Sequence, residues 1–264
     1  MGELSNCFTA NKKLLSIYVC AGFPSLDSTL EQTKLLAKHG VDFIELGMPY
    51  SDPMADGPVI QHCAEKALEA GITMAEYFKL AGKITAETGM PIVFMGYFNQ
   101  ILQYGVNHFI KDCTVHGISG CIVPDLPIEY YEKNYHTRFE SAGLTISFLI
   151  TPTSSPERIE KAIRLSTGFT YVVANNSITG DQQSVHMDQA AWLERAADLT
   201  KGHHTMVGFG IKDRATVEQA QRYTDGAIIG SAYLRKLTAD PSGSFIPSFI
   251  QELCGLSANE NTAS

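Results

Sequence analysis

A glutamate inside an apolar run, and two aspartates in the loop behind it, are the residues of this chain best placed to do chemistry. The segment Phe43-Ile44-Glu45-Leu46-Gly47 alternates, so Ile44 and Leu46 share one face while Phe43, Glu45 and Gly47 share the other. An ionised carboxylate in such surroundings is costly unless it is paired. Either Glu45 meets an Arg or Lys from elsewhere in the chain, or it is a working acid. In the second case desolvation raises its pKa toward neutrality, where one carboxyl group can both give and take a proton. The loop that follows, Met48-Pro49-Tyr50-Ser51-Asp52-Pro53-Met54-Ala55-Asp56-Gly57-Pro58, is too rich in Pro and Gly for a helix. Asp52, before Pro53, suits a turn. Asp56 lies just before a helix start at Val59-Ile60-Gln61, and is either its N-cap or a second carboxylate facing Glu45.

An anion site is signalled far along the chain. Gly208-Phe209-Gly210 closes one apolar run, and Gly230-Ser231 closes the next, directly before a helical stretch from Ala232 to Leu237. Glycines let the backbone approach an anion closely, and a helix N-terminus offers free N–H groups and the positive end of a dipole. Tight turns alone are the alternative reading. No lysine falls within the apolar runs, which argues against a Schiff-base aldolase. The eight histidines lie in helices or loops, and neither His-Glu-x-x-His nor a carboxylate cluster suggests a metal. Six scattered cysteines lack any Cys-x-x-Cys, and Cys20 and Cys121 read as small buried hydrophobes. The expected chemistry is carboxylate acid–base work on a phosphorylated substrate, without a metal or cofactor.

These residues need a scaffold, and the pattern supplies one. Short β-rich runs recur at Leu14 to Cys20, Phe43 to Leu46, Ile92 to Met95, Gly120 to Val123, Thr145 to Leu149, Thr170 to Val173, Thr205 to Val207 and Ala227 to Ile229. Helical stretches separate them, among them Ser28 to His39, Met74 to Thr88, Tyr130 to Ala142, Glu157 to Leu165, Asp188 to Leu199 and Ala215 to Tyr223. Strict alternation implies parallel strands with right-handed crossovers. Eight units share 264 residues, about 33 each, which fits an α/β fold of the (β/α)8 TIM-barrel type. No composition break marks a linker, so residues 1–264 are read as a single barrel domain with a frayed polar tail at 257–264. Gly40, Gly117 and Gly143 are expected just past helix ends.

Composition limits the partners. Hydrophobic residues make up 44% and charged residues 18%, enough for a core and too little charge for disorder. With 20 Lys plus Arg against 28 Asp plus Glu, the formal charge is -8 and no basic run occurs, so a nucleic-acid surface is not expected. Met1-Gly2-Glu3-Leu4-Ser5-Asn6 has no signal-peptide character and no 18-residue apolar stretch follows, so the expectation is a cytoplasmic protein away from membranes.

The stretch from Ile44 to Gln61 closely resembles the signature of the tryptophan synthase alpha subunit family, and the likeness runs from about Leu15 to Leu237. Further matches are Ala21-Gly22-Phe23-Pro24, Met95-Gly96-Tyr97-Phe98-Asn99, Pro124-Asp125-Leu126-Pro127, Ile178-Thr179-Gly180 and the two glycine segments. The resemblance implies a lyase of aromatic amino-acid biosynthesis that cleaves indole-3-glycerol phosphate, by a retro-aldol step, to indole and glyceraldehyde 3-phosphate. Indole then passes to a beta subunit carrying pyridoxal phosphate, within an alpha2beta2 heterotetramer, in the last step of tryptophan formation. It makes Glu45 and Asp56 the catalytic pair, with Asp56 stabilising the positive indole nitrogen and accepting its proton, and puts Tyr171 beside the glutamate, where it could equally be a pocket wall. It assigns phosphate contacts to Gly180, Gly210, Gly230 and Ser231, with Phe209 and Gly208 shaping the loop, and indole contacts to Tyr18, Ile60 and Met95. Thr179 matches the threonine that bonds the loop aspartate. Many members read Arg-x-Gly-Val-Thr-Gly where this chain has Asn175-Asn176-Ser177-Ile178-Thr179-Gly180, a departure that bears on loop closure and signalling to the partner. Two other readings are another phosphate-binding barrel enzyme, which would lack the Glu45 to Gly57 motif, and a noncatalytic activator, which would lack one carboxylate.

Overall fold

A computed structural model of the chain describes residues 3–9, 12–54, 56–174 and 189–255. The 257–264 tail, Thr179, Gly180 and the Asn175-Asn176-Ser177 departure lie outside the described residues. The strands are β1 (Leu14–Cys20), β2 (Phe43–Gly47), β3 (Ile92–Met95), β4 (Ile118–Ile122), β5 (Thr145–Ile146), β6 (Leu149–Ile150), β7 (Thr170–Val173), β8 (Thr205–Gly208) and β9 (Gly226–Ile229). Every pairing is parallel, and the spatial order is β5-β4-β3-β2-β1-β9-β8-β7-β6.

The run from Thr145 to Leu149, expected as one strand, is therefore two. Side chains take over its ladder. Ile146 and Phe148 donate their N–H groups to Thr167 Oγ1 and Ser166 Oγ, and Ser147 Oγ accepts from Phe169 N–H. The break also reveals the closure. The two ends of the sheet, β5 and β6, are consecutive in the chain with only Ser147 and Phe148 between them, so the sheet curls until its edges meet. That is a (β/α)8 barrel with its fifth strand split, one half pairing with β4 and the other with β7.

Helices lie between all successive strands except β5 and β6, and several carry the caps that their sequences promise. Ser25 and Ser155 cap Leu26–Lys38 and Pro156–Leu165, and Thr73 with Glu76 forms a reciprocal capping box on Met74–Thr88. Gly40, Gly117 and Gly143 all have positive φ just past helix ends, as expected. The stretch from Tyr130 to Ala142 is two short helices, Ile128–Asn134 and His136–Ser141, rather than one. Leu4, on a short helical turn at Glu3–Cys7, is buried, and Phe8 beyond it packs on Phe169 with ring centroids 6.0 Å apart. His204, before β8, is half-exposed and stacks on Phe8 at 4.5 Å. Cys20 and Cys121 are buried, as read from their strands.

Candidate active site

The carboxyl ends of the parallel strands converge on a cavity of about 140 Å³. Glu45 enters it from the middle of β2, where alternation turns it inward, and only 2% of the residue is exposed. No Arg or Lys meets it. Among the described residues Glu45 Oε1 is a buried polar atom without a hydrogen-bond partner, a condition it shares only with the hydroxyls of Ser16 and Thr170. The ion-pair reading therefore fails, and desolvation lifts the carboxyl from 4.5 to about 8. At neutral pH the group is mainly the neutral acid.

Asp56 lines the same cavity from the loop after β2. Its two open roles are resolved by the helix behind it, Pro58–Glu69, whose N-cap is Gly57 with no side-chain cap bond. Asp56 instead accepts a hydrogen bond from Tyr97 Oη at 3.0 Å. Burial pushes its pKa up, and the Tyr97 bond opposes that rise. Tyr97 is itself held by stacking on Tyr50, ring centroids 4.9 Å apart, and Tyr50 Oη accepts from Asn99 Nδ2. Asp52 is exposed, bonded by Ser51 Oγ and away from the cavity, as its turn role implied.

Tyr18 and Tyr171 flank the glutamate. Tyr18 on β1 is the register partner of Glu45, and its ring lies over Gly47, where any Cβ would collide with the tyrosine hydroxyl. Tyr171 on β7 repeats the device over Gly208 of β8. Burial, reinforced by the nearby Glu45 and Asp56, raises both phenols well above their ordinary range, so they stay neutral donors. Ile60 and Met95 complete the apolar wall.

The cavity is also lined from the two glycine segments, through Phe209, Gly210 and Ser231. Phe209 has a left-handed φ of 62°, rare for a residue with a side chain, and its ring packs edge-on against Tyr171 at 5.9 Å. Gly210 follows at φ 79° and lines the cavity with Ser231. Ser231 opens the helix Ser231–Ala239, whose N-cap, Gly230, supplies no side-chain bond, so its first amides are available to an anion. Gly230 is not itself in the lining but sits behind it, where a Cβ would come 3.4 Å from Tyr18 Cβ. The structure thus gathers Glu45, Asp56, Tyr171, Tyr18, Ile60, Met95, Phe209, Gly210 and Ser231 at one cavity. The sequence reading missed Ile211, Lys212, Ile228, Ala232 and Arg235 in the lining, and Tyr97 behind Asp56. Helical spacing could have found Arg235, four residues after Ser231. Among the described residues no group of three or more His, Cys, Asp or Glu could hold a metal ion, and no helix is long and apolar enough to cross a membrane.

Residues 4–247 match the family model described as tryptophan synthase alpha chain. The chain belongs to the tryptophan synthase alpha chain family. A tryptophan synthase alpha chain from Flavobacterium psychrophilum is 43% identical over 253 residues, which is 96% of this chain and 100% of that one. Among solved structures, tryptophan synthase from M. tuberculosis in an aminoacrylate-bound form aligns with a TM-score of 0.84 at 29% identity, covering 96% of this chain and 98% of that one. The tryptophan synthase a2b2 complex of the hyperthermophile Pyrococcus furiosus aligns with a TM-score of 0.81 at 29% identity, covering 92% and 97%. These alignments span nearly the whole of this chain, so the likeness covers the entire barrel.

Proposed function

We propose that this chain cleaves indole-3-glycerol phosphate to indole and glyceraldehyde 3-phosphate. The observation that carries the reading is a buried Glu45, its Oε1 without a hydrogen-bond partner among the described residues and its carboxyl protonated at neutral pH, in a cavity also lined by Ser231 at a helix N-terminus that no side chain caps. Glu45 delivers its proton to indole C3, which creates a positive 3H-indolium ring. The resulting Glu45 carboxylate then removes the proton from the side-chain hydroxyl next to C3. The C–C bond breaks, the aldehyde forms, and the bonding pair returns to the ring to restore indole. Asp56, aimed by Tyr97, accepts a hydrogen bond from the indole N–H and stabilises the charge that develops there. Tyr18, Ile60 and Met95 enclose the ring. Gly210 and Ser231, with Gly180 from the family resemblance, receive the phosphate.

The half-reaction moves only protons and one bonding pair, so the two carboxylates suffice and we place pyridoxal phosphate on a beta partner. The mouth of the barrel suits such a partner. Met54, beside Pro53 in the loop that carries Asp56, is 81% exposed, and Leu102 and Tyr130 are exposed nearby in the loops and helices after β3 and β4. Exposed apolar side chains on the segments that follow β2, β3 and β4 fit docking that both activates the alpha site and receives indole. The assignment to the cytoplasm follows from this reading of the enzyme as part of amino-acid biosynthesis. Indole measured after incubation of the purified chain with indole-3-glycerol phosphate, alone and with a beta subunit, tests the proposal. Indole in neither condition refutes it.

A further inference from the structure

The cavity that holds Glu45 and Asp56 is also lined by two cations, Lys212 and Arg235, which follow Gly210 and Ser231 closely in the chain. Neither cation forms an ion pair among the described residues. Asp213, the carboxylate that feels the charge of Lys212, is engaged elsewhere, accepting from Thr216 N–H and Oγ1 to cap the helix Arg214–Tyr223. The backbone of Lys212 is tied down as well, its N–H donating to Thr216 Oγ1 at 3.0 Å, so the loop presents the side chain from a fixed base. Arg235 stands four residues after Ser231, one helical turn above it, and helical side chains lean toward the N-terminus. Its neighbour Lys236 is directed instead over the Phe249 ring, 5.3 Å from the centroid.

A phosphomonoester carries a charge of about -1.5 to -2 near neutral pH. It must approach a chain of formal charge -8 and enter a cavity that already holds Asp56. Backbone amides bind such a group but do little to draw it in, whereas exposed cations at a cavity mouth raise the local concentration of an anion and orient it. We propose that Lys212 and Arg235 form a two-cation clamp that selects the dianionic phosphomonoester and sets it beside Gly210 and Ser231. This rests on the cleavage reading above for the identity of the substrate, but the clamp itself can be probed without turnover.

Glycerol 3-phosphate is the probe, titrated calorimetrically into the full chain and into Lys212→Ala, Arg235→Ala, the double variant, Lys212→Arg and Arg235→Lys. Each alanine is expected to raise Kd about fivefold and the double variant roughly twentyfold, while the charge-preserving variants stay within about twofold. The double variant should also lose most of the salt dependence of Kd, and most of the weakening seen below about pH 6, where the phosphomonoester becomes a monoanion. In the cleavage assay the loss of kcat/KM should come mainly from KM. A double variant with native circular dichroism and an unchanged Kd overturns the clamp. So does failure of the unmodified chain to bind glycerol 3-phosphate, or a Lys212→Arg variant that binds as weakly as Lys212→Ala. Charge-dependent binding without any indole release would leave the clamp standing and reject the cleavage reading instead.

Discussion

Glu45 is the residue on which structure and chemistry meet most directly. Its solvated carboxyl titrates near 4.5 and its buried one at about 8, so between those pH values the folded chain holds a proton that the unfolded chain releases. Stability contributed by this group therefore falls as pH rises through that window. Replacing it with Gln removes the penalty, and Glu45→Gln should be more stable than the parent by a few kcal/mol near about pH 8 and little different near about pH 4.5. Urea unfolding of both proteins at the two pH values reads the difference; equal stability throughout would mean that the carboxyl is solvated. The same shift sets the alkaline limb of activity, because the first step needs the protonated acid. Asp56 belongs to the other limb. Tyr97→Phe removes the bond that opposes the rise of its pKa, so the acid limb of kcat/KM should move to higher pH and kcat should fall roughly tenfold. An unmoved limb would reduce Tyr97 to a pocket wall. Glu45 was legible in the sequence because a charge in an apolar alternating strand has few uses. The role of Asp56 was not, since a residue before Gly57-Pro58 looks the same whether it caps a helix or faces a cavity.

At the scale of the elements, the site depends on strands that carry glycine where a tyrosine must cross. Gly208 has a backbone that any residue could adopt, and its need is steric, because a Cβ would meet the Tyr171 hydroxyl. Gly208→Ala should push Tyr171 out of place, destabilising the fold by roughly 1–3 kcal/mol and lowering kcat/KM, and the variant Gly208→Ala/Tyr171→Phe should recover only part of the stability, since ring Cζ would still collide with the added Cβ. Urea unfolding and the cleavage assay separate the two effects. Apolar alternation made most strands and the helix Met74–Thr88 readable, since both depend on local periodicity. The split of the fifth strand was not readable. It arises where Thr167, Ser166 and Ser147 take ladder bonds across the sheet, a tertiary exchange that leaves no mark on the pattern of Thr145 to Leu149. Arg235 and Lys212 were missed for a related reason, as each looks like an ordinary surface cation until the loops after β8 and β9 are brought together.

For the whole molecule, barrel closure explains how residues up to 217 positions apart, Tyr18 and Arg235, come to line one cavity. The count of strands in the sequence pointed to that closure, and the short gap between β5 and β6 completes it. Net charge was a poor guide to the ligand. The acidic balance concerns the whole surface, whereas an anion meets a local group of amides and two cations. The mouth of the barrel is also where a partner should act. Met54→Asp places a charge on the most exposed of the apolar residues near the catalytic loop, and should weaken association with a beta subunit roughly tenfold without lowering Tm. Titration of beta-subunit activation reads the change, and unaltered affinity would move the docking surface elsewhere.

The central claim is that one buried carboxyl, at Glu45, carries both proton transfers. The most direct measurement is the rate of indole release from indole-3-glycerol phosphate, in the presence of a beta subunit, by the unmodified chain and by Glu45→Gln side by side. Steady indole formation by the first and a loss of about a thousandfold or more in the second, with its fold and beta binding retained, is the expected result. Turnover by Glu45→Gln at the rate of the unmodified chain would contradict it.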